Sequence, residues 1–224
     1  ILHEGHINIL KIASKLGMVT VGLLTDAAIS SYRKFPNLTY KNRETVVRSL
    51  RFVDDAIPQK TLDQRKNLLK LKPDFVVHGD DWKEGNLKKV REKVIKTLKG
   101  WGGKLIEPKY TKNISLSKFK IQTKEIGTTP DIRRSKLIRL MNAKEIVRIL
   151  ESHNALTGLI IENLSYMKNK SYMEFDGMWS SSLTDSIVRG KPDNQSVDYS
   201  TRIIGLNETL DVTTKPIIFD ADNG

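Results

Sequence analysis

The protein has 224 residues, a hydrophobic content of 38% and a formal net charge of +12, from 38 Lys and Arg against 26 Asp and Glu. This length can hold one large or two small hydrophobic cores, and no apolar run reaches the roughly 20 residues that a membrane span needs. The absence of cysteine excludes disulfides and thiolate metal sites. We therefore predict a cytoplasmic globular protein with no signal peptide.

Helix and strand patterns alternate along the first half of the chain. Apolar spacing predicts a helix over 6–16 that stops at Gly17, and further helices over 42–53, 62–71 and 86–100. Buried strands are predicted at 18–26, 55–58, 73–81 and 103–108. This alternation predicts an α/β fold with a parallel sheet.

A second unit is predicted after residue 122. We expect a short helix at 114–124 and assign a linker to 123–130, between a first domain at 1–122 and a second at 131–224. The second domain has helical patterns at 133–141, 143–153 and 198–210. A strand and turn are predicted at 175–182, and a strand that runs into a loop at 215–224.

The excess positive charge is concentrated in one segment. Between Glu84 and Lys124 there are twelve Lys and Arg against three Glu, largely on a helix that has an apolar stripe on its other face. The charge is interpreted either as a solvated helix face or as a patch that attracts nucleotides and other anions. Because no recognisable nucleic-acid motif accompanies it, we do not expect a nucleic-acid partner.

His3 and His6 flank the start of the first predicted helix. A helix N-terminus offers unpaired backbone N–H groups and a positive dipole end, which suit a phosphate, and Gly5 lets a ligand approach the backbone closely. Imidazoles at this place can stabilise charge that develops on a leaving phosphate. On spacing alone, a helix-capping pair and a metal-binding pair stay open as alternatives.

Four stretches, "LHEGHINILKIASKLG", "TYKNRETVVRSLRFVDDAIP", "HGDDW" and "YTKNISLSK", resemble in order the motifs of the cytidylyltransferase-like nucleotidyltransferase family. The resemblance implies a Rossmann-like domain whose first strand is missing from this sequence. It also implies that His3 and His6 stabilise the transition state, and that Lys34 bridges nucleotide and substrate phosphates. The nucleotide-binding residues implied are Gly5, Arg43, Arg51, Asp80, Ser115 and Ser117.

Asp220 and Asp222 follow an apolar strand, two residues apart. This arrangement can hold a hard cation such as Mg²⁺ through oxygen ligands, although "DAD" alone is also typical of an acidic turn. Together with "DGMWSSSLTDSIVRGKPD", the stretch "TTKPIIFDADNG" resembles the phosphoenolpyruvate mutase branch of the isocitrate lyase superfamily. The resemblance implies the N-terminal part of a (β/α)8 barrel, with Asp220 and Asp222 as the Mg²⁺ ligands, directly or through water.

The same resemblance assigns roles to five further residues. Ser181, together with the backbone N–H groups of Ser182 and Leu183, would cradle the phosphoryl group of the substrate. Trp179 would form a wall of the pocket, and Asp193 would lie beside the transferring phosphoryl group. The reaction implied is the conversion of phosphoenolpyruvate to phosphonopyruvate.

The two resemblances together imply a bifunctional enzyme of phosphonate biosynthesis, in which a nucleotidyltransferase activates a phosphonate such as 2-aminoethylphosphonate, with CTP as the expected donor. A non-catalytic, basic anion-binding protein that retains both folds is the alternative. We expect Mg²⁺ as the cofactor, no membrane partner, and a homo-oligomeric full-length form. Because a (β/α)8 barrel takes roughly 250 residues, we expect these residues to be a fragment that lacks mutase activity by itself.

Overall fold

The computed structural model describes residues 2–109, 130–168 and 171–222. The chain folds into two compact units. The first comprises Ile1–Ser31 and Leu38–Leu116, and the second comprises Tyr32–Asn37 and Ser117–Gly224. Both units combine helices with parallel strands, which confirms the predicted mixed α/β class.

The described part of the first unit alternates helices and strands. Its elements are α1 (Glu4–Ser14), β1 (Thr20–Leu24), α2 (Asp26–Ser30), α3 (Tyr40–Arg48), β2 (Asp55–Gln59), α4 (Arg65–Leu71), β3 (Phe75–Val77), α5 (Lys88–Leu98) and β4 (Lys104–Ile106). β1 pairs in parallel with β2, and β3 pairs in parallel with β4. Short 3₁₀ turns at Asp80–Trp82 and Gly85–Leu87 connect β3 to α5.

The apolar stripe of α5 lies in the core of the first unit. Val94 and Leu98 are buried together with Leu68 of α4 and Trp82. The lysines of α5 point away from this core and are exposed, as the amphipathic pattern predicts. None of the helices in the described ranges is long and apolar enough to cross a bilayer.

The second unit is built around a short parallel sheet. Its elements are α6 (Pro130–Ala143), β5 (Ile149–Glu151), α7 (Ala155–Asn163), β6 (Ser165–Lys168), β7 (Ser171–Glu174), β8 (Gly177–Ser180), α8 (Ser182–Val188), α9 (Tyr199–Val212) and β9 (Ile217–Phe219). The sheet order is β5-β8-β9, and β6 and β7 form a separate antiparallel pair. β8 is therefore the central strand, with Met178 fully buried.

One prediction about the second unit is corrected by the structure. The helix predicted at 143–153 is wrong, because Ile149–Glu151 instead form β5 and pair with β8. The β-branched residues Ile146, Val147 and Ile149 favour an extended backbone here once a neighbouring strand is available. In addition, α6 begins at Pro130, the last residue assigned to the linker, and proline suits the first turn of a helix. The other linker residues and the helix predicted at 114–124 lie outside the described ranges.

Candidate functional site

The two histidines lie side by side at the start of α1. His3 is the N-cap residue with an extended backbone, and Gly5 is buried within the first turn. The imidazole rings of His3 and His6 have centroids 3.9 Å apart. The backbone N–H of His3 donates to Nδ1 of His6 at 3.4 Å. Because Nδ1 accepts in this contact, the proton of a neutral His6 ring lies on Nε2, which is then a donor.

Arg43 ties α3 to the carboxyl end of β1. Its guanidinium donates to the carbonyl of Leu24 at 2.7 Å and pairs with Asp26 at 2.7 Å. Arg51, which follows α3, is exposed, and its guanidinium lies 4.6 Å from the ring centroid of Phe52. The first arginine is therefore fixed at the edge of the β1–β2 pair, whereas the second presents its charge to solvent.

Asp80 begins the 3₁₀ turn that follows β3, and its backbone N–H donates to the carbonyl of Pro108. Trp82 at the end of this turn is 1% exposed. Its indole N–H donates to Glu107 at 2.8 Å, and Glu107 also accepts two hydrogen bonds from Arg91. The bonds from Arg91 lower the pKa of Glu107 to about 2. The 3₁₀ turn that carries Asp80 is thus held in place by the ionised carboxylate of Glu107, which binds both Trp82 and Arg91.

Lys34 belongs to the second unit, whereas His3 and His6 belong to the first. The ammonium of Lys34 lies 2.6 Å from Oε1 of Glu162 on α7. The two carboxylate oxygens of Glu162 also accept from Thr213 and Thr214. Burial raises the pKa of Glu162, but Lys34 and the threonine donors outweigh burial and lower it to about 2. Ser115 and Ser117 lie outside the described residues.

The serine-rich stretch follows β8 in the second unit. Trp179 is the third residue of β8 and is 38% exposed. Ser181 is the N-cap of α8, with its hydroxyl accepting from the backbone N–H of Thr184. Ser182 is buried, and Leu183 beside it is exposed. The sequence therefore places the expected phosphoryl cradle at the carboxyl end of the central strand.

Asp220 is brought next to this cradle by the parallel pairing of β8 and β9. The backbone N–H of Asp220 donates to the carbonyl of Ser180 at 2.9 Å and so extends the ladder by one residue. Its carboxylate accepts from the hydroxyl of Ser182 at 3.0 Å and from the backbone N–H of Asp222 at 3.1 Å. These donors, the Asp222 N–H foremost, lower the pKa of Asp220.

Asp222 is held by an arginine that no sequence motif identified. Arg202 on α9 is 4% exposed and donates to Asp222 at 2.8 Å, to Asp185 at 3.1 Å and to the carbonyl of Asp220. Its guanidinium also lies 4.7 Å from the ring centroid of Phe219. Arg202 therefore fixes the turn after β9, in which Asp222 adopts a left-handed backbone with φ 57°.

Asp193 and Asp222, both expected in the second site, line one open pocket of about 410 Å³. The other lining residues are Asn194 and Gln195. No group of three or more His, Cys, Asp or Glu side chains suited to a metal ion occurs within the described ranges.

Comparison with protein families divides the chain in the same order as the motifs. Residues 1–139 match the family model described as cytidylyltransferase-like. Residues 137–224 match the family model described as phosphoenolpyruvate phosphomutase.

Individual relatives match parts of the chain. Glycerol-3-phosphate cytidylyltransferase of Staphylococcus aureus is 32% identical over 122 residues, which cover 54% of this chain and 85% of that protein. The enzyme of the same name from Bacillus subtilis is 34% identical over 84 residues, or 37% of this chain and 65% of the relative. Phosphoenolpyruvate phosphomutase of Tetrahymena pyriformis is 28% identical over 92 residues, which cover 41% of this chain but only 28% of that protein.

Among solved structures, a lipopolysaccharide core biosynthesis protein of Thermoplasma volcanium matches 50% of this chain and 88% of its own, with 27% identity and a TM-score of 0.41. The family match over residues 1–139 and the Staphylococcus relative establish the first region. The chain belongs to the cytidylyltransferase-like family and fuses that nucleotidyltransferase region to a phosphoenolpyruvate phosphomutase-type region.

Proposed function

We propose that the protein is a bifunctional enzyme of phosphonate biosynthesis. Its second region isomerises phosphoenolpyruvate to phosphonopyruvate, and its first region transfers a cytidylyl group from CTP to a phosphonate such as 2-aminoethylphosphonate. The observation that carries the first activity is the His3–His6 pair at the N-terminus of α1. The choice of CTP is supported by relatives that are named cytidylyltransferases.

In cytidylyl transfer, the phosphoanhydride bond between the α- and β-phosphates of CTP is replaced by a bond between the α-phosphorus and the phosphonate acceptor. A phosphonate oxygen attacks the α-phosphorus of CTP, and the bond from that phosphorus to the departing pyrophosphate breaks. The α1 N-terminus binds the α-phosphate, since its N–H groups and dipole favour negative charge. The Nε2–H of His6 then donates to the charge that develops in the transition state, and His3 packs against it.

The flanking residues complete the nucleotide site in this proposal. Arg43 and Arg51 add positive charge beside the triphosphate, and Ser115 and Ser117 bind it by hydrogen bonds. Lys34 has the bridging role that the family resemblance implies. Because its ammonium is bound to Glu162, this role requires the Lys34–Glu162 ion pair to break.

The residues of the second site fit Mg²⁺ chemically. Among the described residues, the hydrogen-bond donors to the two oxygens of the Asp220 carboxylate are neutral N–H and O–H groups, and a carboxylate of this kind suits a hard cation. The carboxylate of Asp222 is already paired with Arg202, and we propose that it contacts the ion through water. Asp220 would hold Mg²⁺ directly and Asp222 would hold it through water, and the ion would supply positive charge to the oxygens of the bound substrate.

The protein groups position the phosphoryl group for an intramolecular exchange. The bond from phosphorus to the enol oxygen breaks and a bond from phosphorus to C3 forms, so substrate and product contain the same atoms and no redox partner is needed. The hydroxyl of Ser181 and the N–H groups of Ser182 and Leu183 hold the phosphoryl oxygens. Trp179 limits access of water, and Asp193 orients the transferring group.

Phosphorus NMR of the full-length protein tests both activities in one sample. Phosphoenolpyruvate, Mg²⁺ and a decarboxylase that traps phosphonopyruvate should give a new carbon-bonded phosphorus signal. CTP and 2-aminoethylphosphonate should give pyrophosphate and a cytidylyl phosphonate. If neither product forms while CTP and phosphoenolpyruvate still bind, the protein is the non-catalytic anion-binding alternative.

A further inference from the structure

His78 is the first residue after β3 and lies on the carboxyl side of the β3–β4 pair. Its backbone N–H donates to the carbonyl of Ile106 at 3.1 Å, which extends the parallel ladder by one residue. α1 packs against β3. In open α/β sheets, ligands bind outside the carboxyl ends of the strands, and helix N-termini lie at the same edge. His78 therefore lies at the carboxyl end of a strand that contacts α1, the helix whose N-terminus carries the His3–His6 pair.

The imidazole of His78 is held rigidly on one face. It stacks on the indole of Trp82, with ring centroids 3.8 Å apart and an angle of 9° between the planes. Trp82 is itself buried and anchored by its hydrogen bond to Glu107. The imidazole remains 33% exposed. A ring fixed in this way can present one edge to a ligand without losing further rotamer entropy.

The tautomer of His78 follows from the hydrogen bond that its ring makes. Nδ1 lies 2.8 Å from the carbonyl oxygen of Gly79. A carbonyl oxygen can only accept, so Nδ1 carries the proton in a neutral ring and Nε2 is left as an acceptor. Within the described part of the chain, no hydrogen bond to Nε2 is made. The carboxylate that faces this ring is Asp81, 3.8 Å from Nδ1, on the side away from Nε2.

We propose that Nε2 of His78 reads the exocyclic group of the nucleotide base. This inference rests on the proposed nucleotidyl transfer and deepens it. Cytosine carries an exocyclic amine, which donates, whereas uracil carries a keto oxygen at the same ring position, which accepts. An acceptor nitrogen such as Nε2 forms a hydrogen bond with the amine of cytosine. With uracil, the lone pair of the nitrogen would face a lone pair of the keto oxygen, and the two would repel each other. His78 is thus a specificity-determining residue that selects CTP over UTP.

The test compares CTP with UTP, because the two rings have the same size. Equilibrium dialysis with each labelled nucleotide at pH 8.5, where an ordinary imidazole is neutral, should show at least about tenfold tighter binding of CTP, as expected for one mismatched polar pair. In His78→Ala the two dissociation constants should fall within about threefold of each other. His78→Lys, which offers only donors, should shift the preference towards UTP.

Controls separate a specificity role from a folding defect. His153→Ala, at a histidine of the second unit outside both sites, should keep the wild-type ratio. His78→Gln retains much of the side-chain volume but can present either a donor or an acceptor. Its preference for CTP over UTP, measured as the ratio of the two dissociation constants, should therefore also fall. Because each ratio is measured within one variant, a uniform loss of affinity cancels. An unchanged ratio in folded His78→Ala and His78→Gln would overturn the proposal.

The outcomes also distinguish this inference from the proposed function. Wild-type protein that binds CTP and UTP equally, yet transfers a cytidylyl group, would overturn the role of His78 alone. Wild-type protein that binds neither nucleotide would overturn nucleotidyl transfer itself.

Discussion

The Lys34 ammonium lies 2.6 Å from Oε1 of Glu162, although 128 positions separate the two residues in the chain. The Glu162 side chain is 3% exposed, and Thr213 and Thr214 supply its other hydrogen bonds. These contacts bind a segment of the N-terminal sequence, Tyr32–Asn37, into the second unit. Arg139 reinforces the attachment by donating to the carbonyls of Pro36 and Asn37. The ion pair is therefore part of the structure of the second unit.

Glu162→Gln should destabilise the second unit at pH 7 by about 3 kcal/mol. The pKa of Glu162 falls from its ordinary 4.5 to about 2, and each unit corresponds to about 1.4 kcal/mol. A depressed carboxyl pKa stabilises the fold above the unfolded pKa, and this contribution is lost as the pH falls from about 4.5 to about 2. Hydrogen exchange in urea, followed on peptides from 130–168 and 171–222, measures the decrease in the free energy of unfolding of the second unit.

Glu208→Gln, at an exposed position of α9, is the matched control and should change stability by less than about 0.5 kcal/mol. The difference between wild type and Glu162→Gln should also shrink at pH 3. Equal stabilities of wild type and Glu162→Gln at pH 7 would show that the ion pair contributes nothing net.

In the full-length protein, His6→Ala should lower cytidylyl transfer by about 10²-fold or more, the scale for removing one donor to developing charge. CTP binding should weaken much less, because the donor acts mainly in the transition state. Lys11→Ala changes an exposed side chain of the same helix and should retain activity. Pyrophosphate release gives kcat and KM for each protein. An unchanged kcat in His6→Ala would remove His6 from the mechanism.

In the full-length protein, Asp220→Ala should abolish Mg²⁺-dependent isomerisation of phosphoenolpyruvate and leave cytidylyl transfer unchanged. The carboxylate supplies the direct protein ligand proposed for the ion, whereas the histidine pair belongs to the other unit. Asp211→Ala, at an exposed position of α9, controls for the loss of a carboxylate. Phosphorus NMR follows the first reaction, and pyrophosphate release follows the second. Loss of both activities would instead indicate a general folding defect.

Arg202→Gln should destabilise the second unit by about 3–5 kcal/mol, since it leaves the buried carboxylate of Asp185 without its main partner. Arg189→Gln is a close control, because that arginine also contacts Asp185 but is 30% exposed and 3.7 Å away. It should cost less than about 1 kcal/mol. Urea unfolding monitored by hydrogen exchange distinguishes the two variants. Similar losses for both would show that burial of Arg202 does not matter.

The sequence predicted those features that depend on local patterns. The helix α5 is predicted from its amphipathic spacing, and the strands β1 and β8 from their apolar residues. Both patterns are local, because the periodicity of a helix or a strand is visible within a short window of sequence. Gly5 between two histidines and the Asp220–Asp222 pair are likewise local. The helix predicted at 143–153 failed because β5 forms only through pairing with β8.

Long-range polar contacts could not be predicted in this way. Arg202 has no local motif, and its importance arises from Asp185 and Asp222, 17 and 20 positions away. The attachment of Lys34 to Glu162 similarly depends on tertiary structure. His78 did carry a weak signal, since it begins the "HGDDW" stretch, but its stacking on Trp82 requires the 3₁₀ turn that brings the two rings together.

Lys136 should make the stability of the second unit rise with pH between about 8 and 10.5. Its side chain is buried and donates to the carbonyl of Thr214 at 2.9 Å. Burial is the main cause that lowers its pKa from 10.5 to about 8. Of the neighbouring charges, Lys34 and Lys215 lower the pKa further, and Glu162 and Glu174 oppose them.

The sign of this effect follows from proton binding. Between pH 8 and 10.5 the unfolded chain keeps the proton that the folded chain has released, so raising the pH favours the folded state, by about 3 kcal/mol over the full interval. Lys136→Met has no such group, so its stability should rise less than that of wild type between pH 7.5 and pH 10. Lys168→Met, at an exposed position of β6, should follow the wild-type profile. Hydrogen exchange in urea at both pH values measures each slope, and parallel profiles for wild type and Lys136→Met would contradict the prediction.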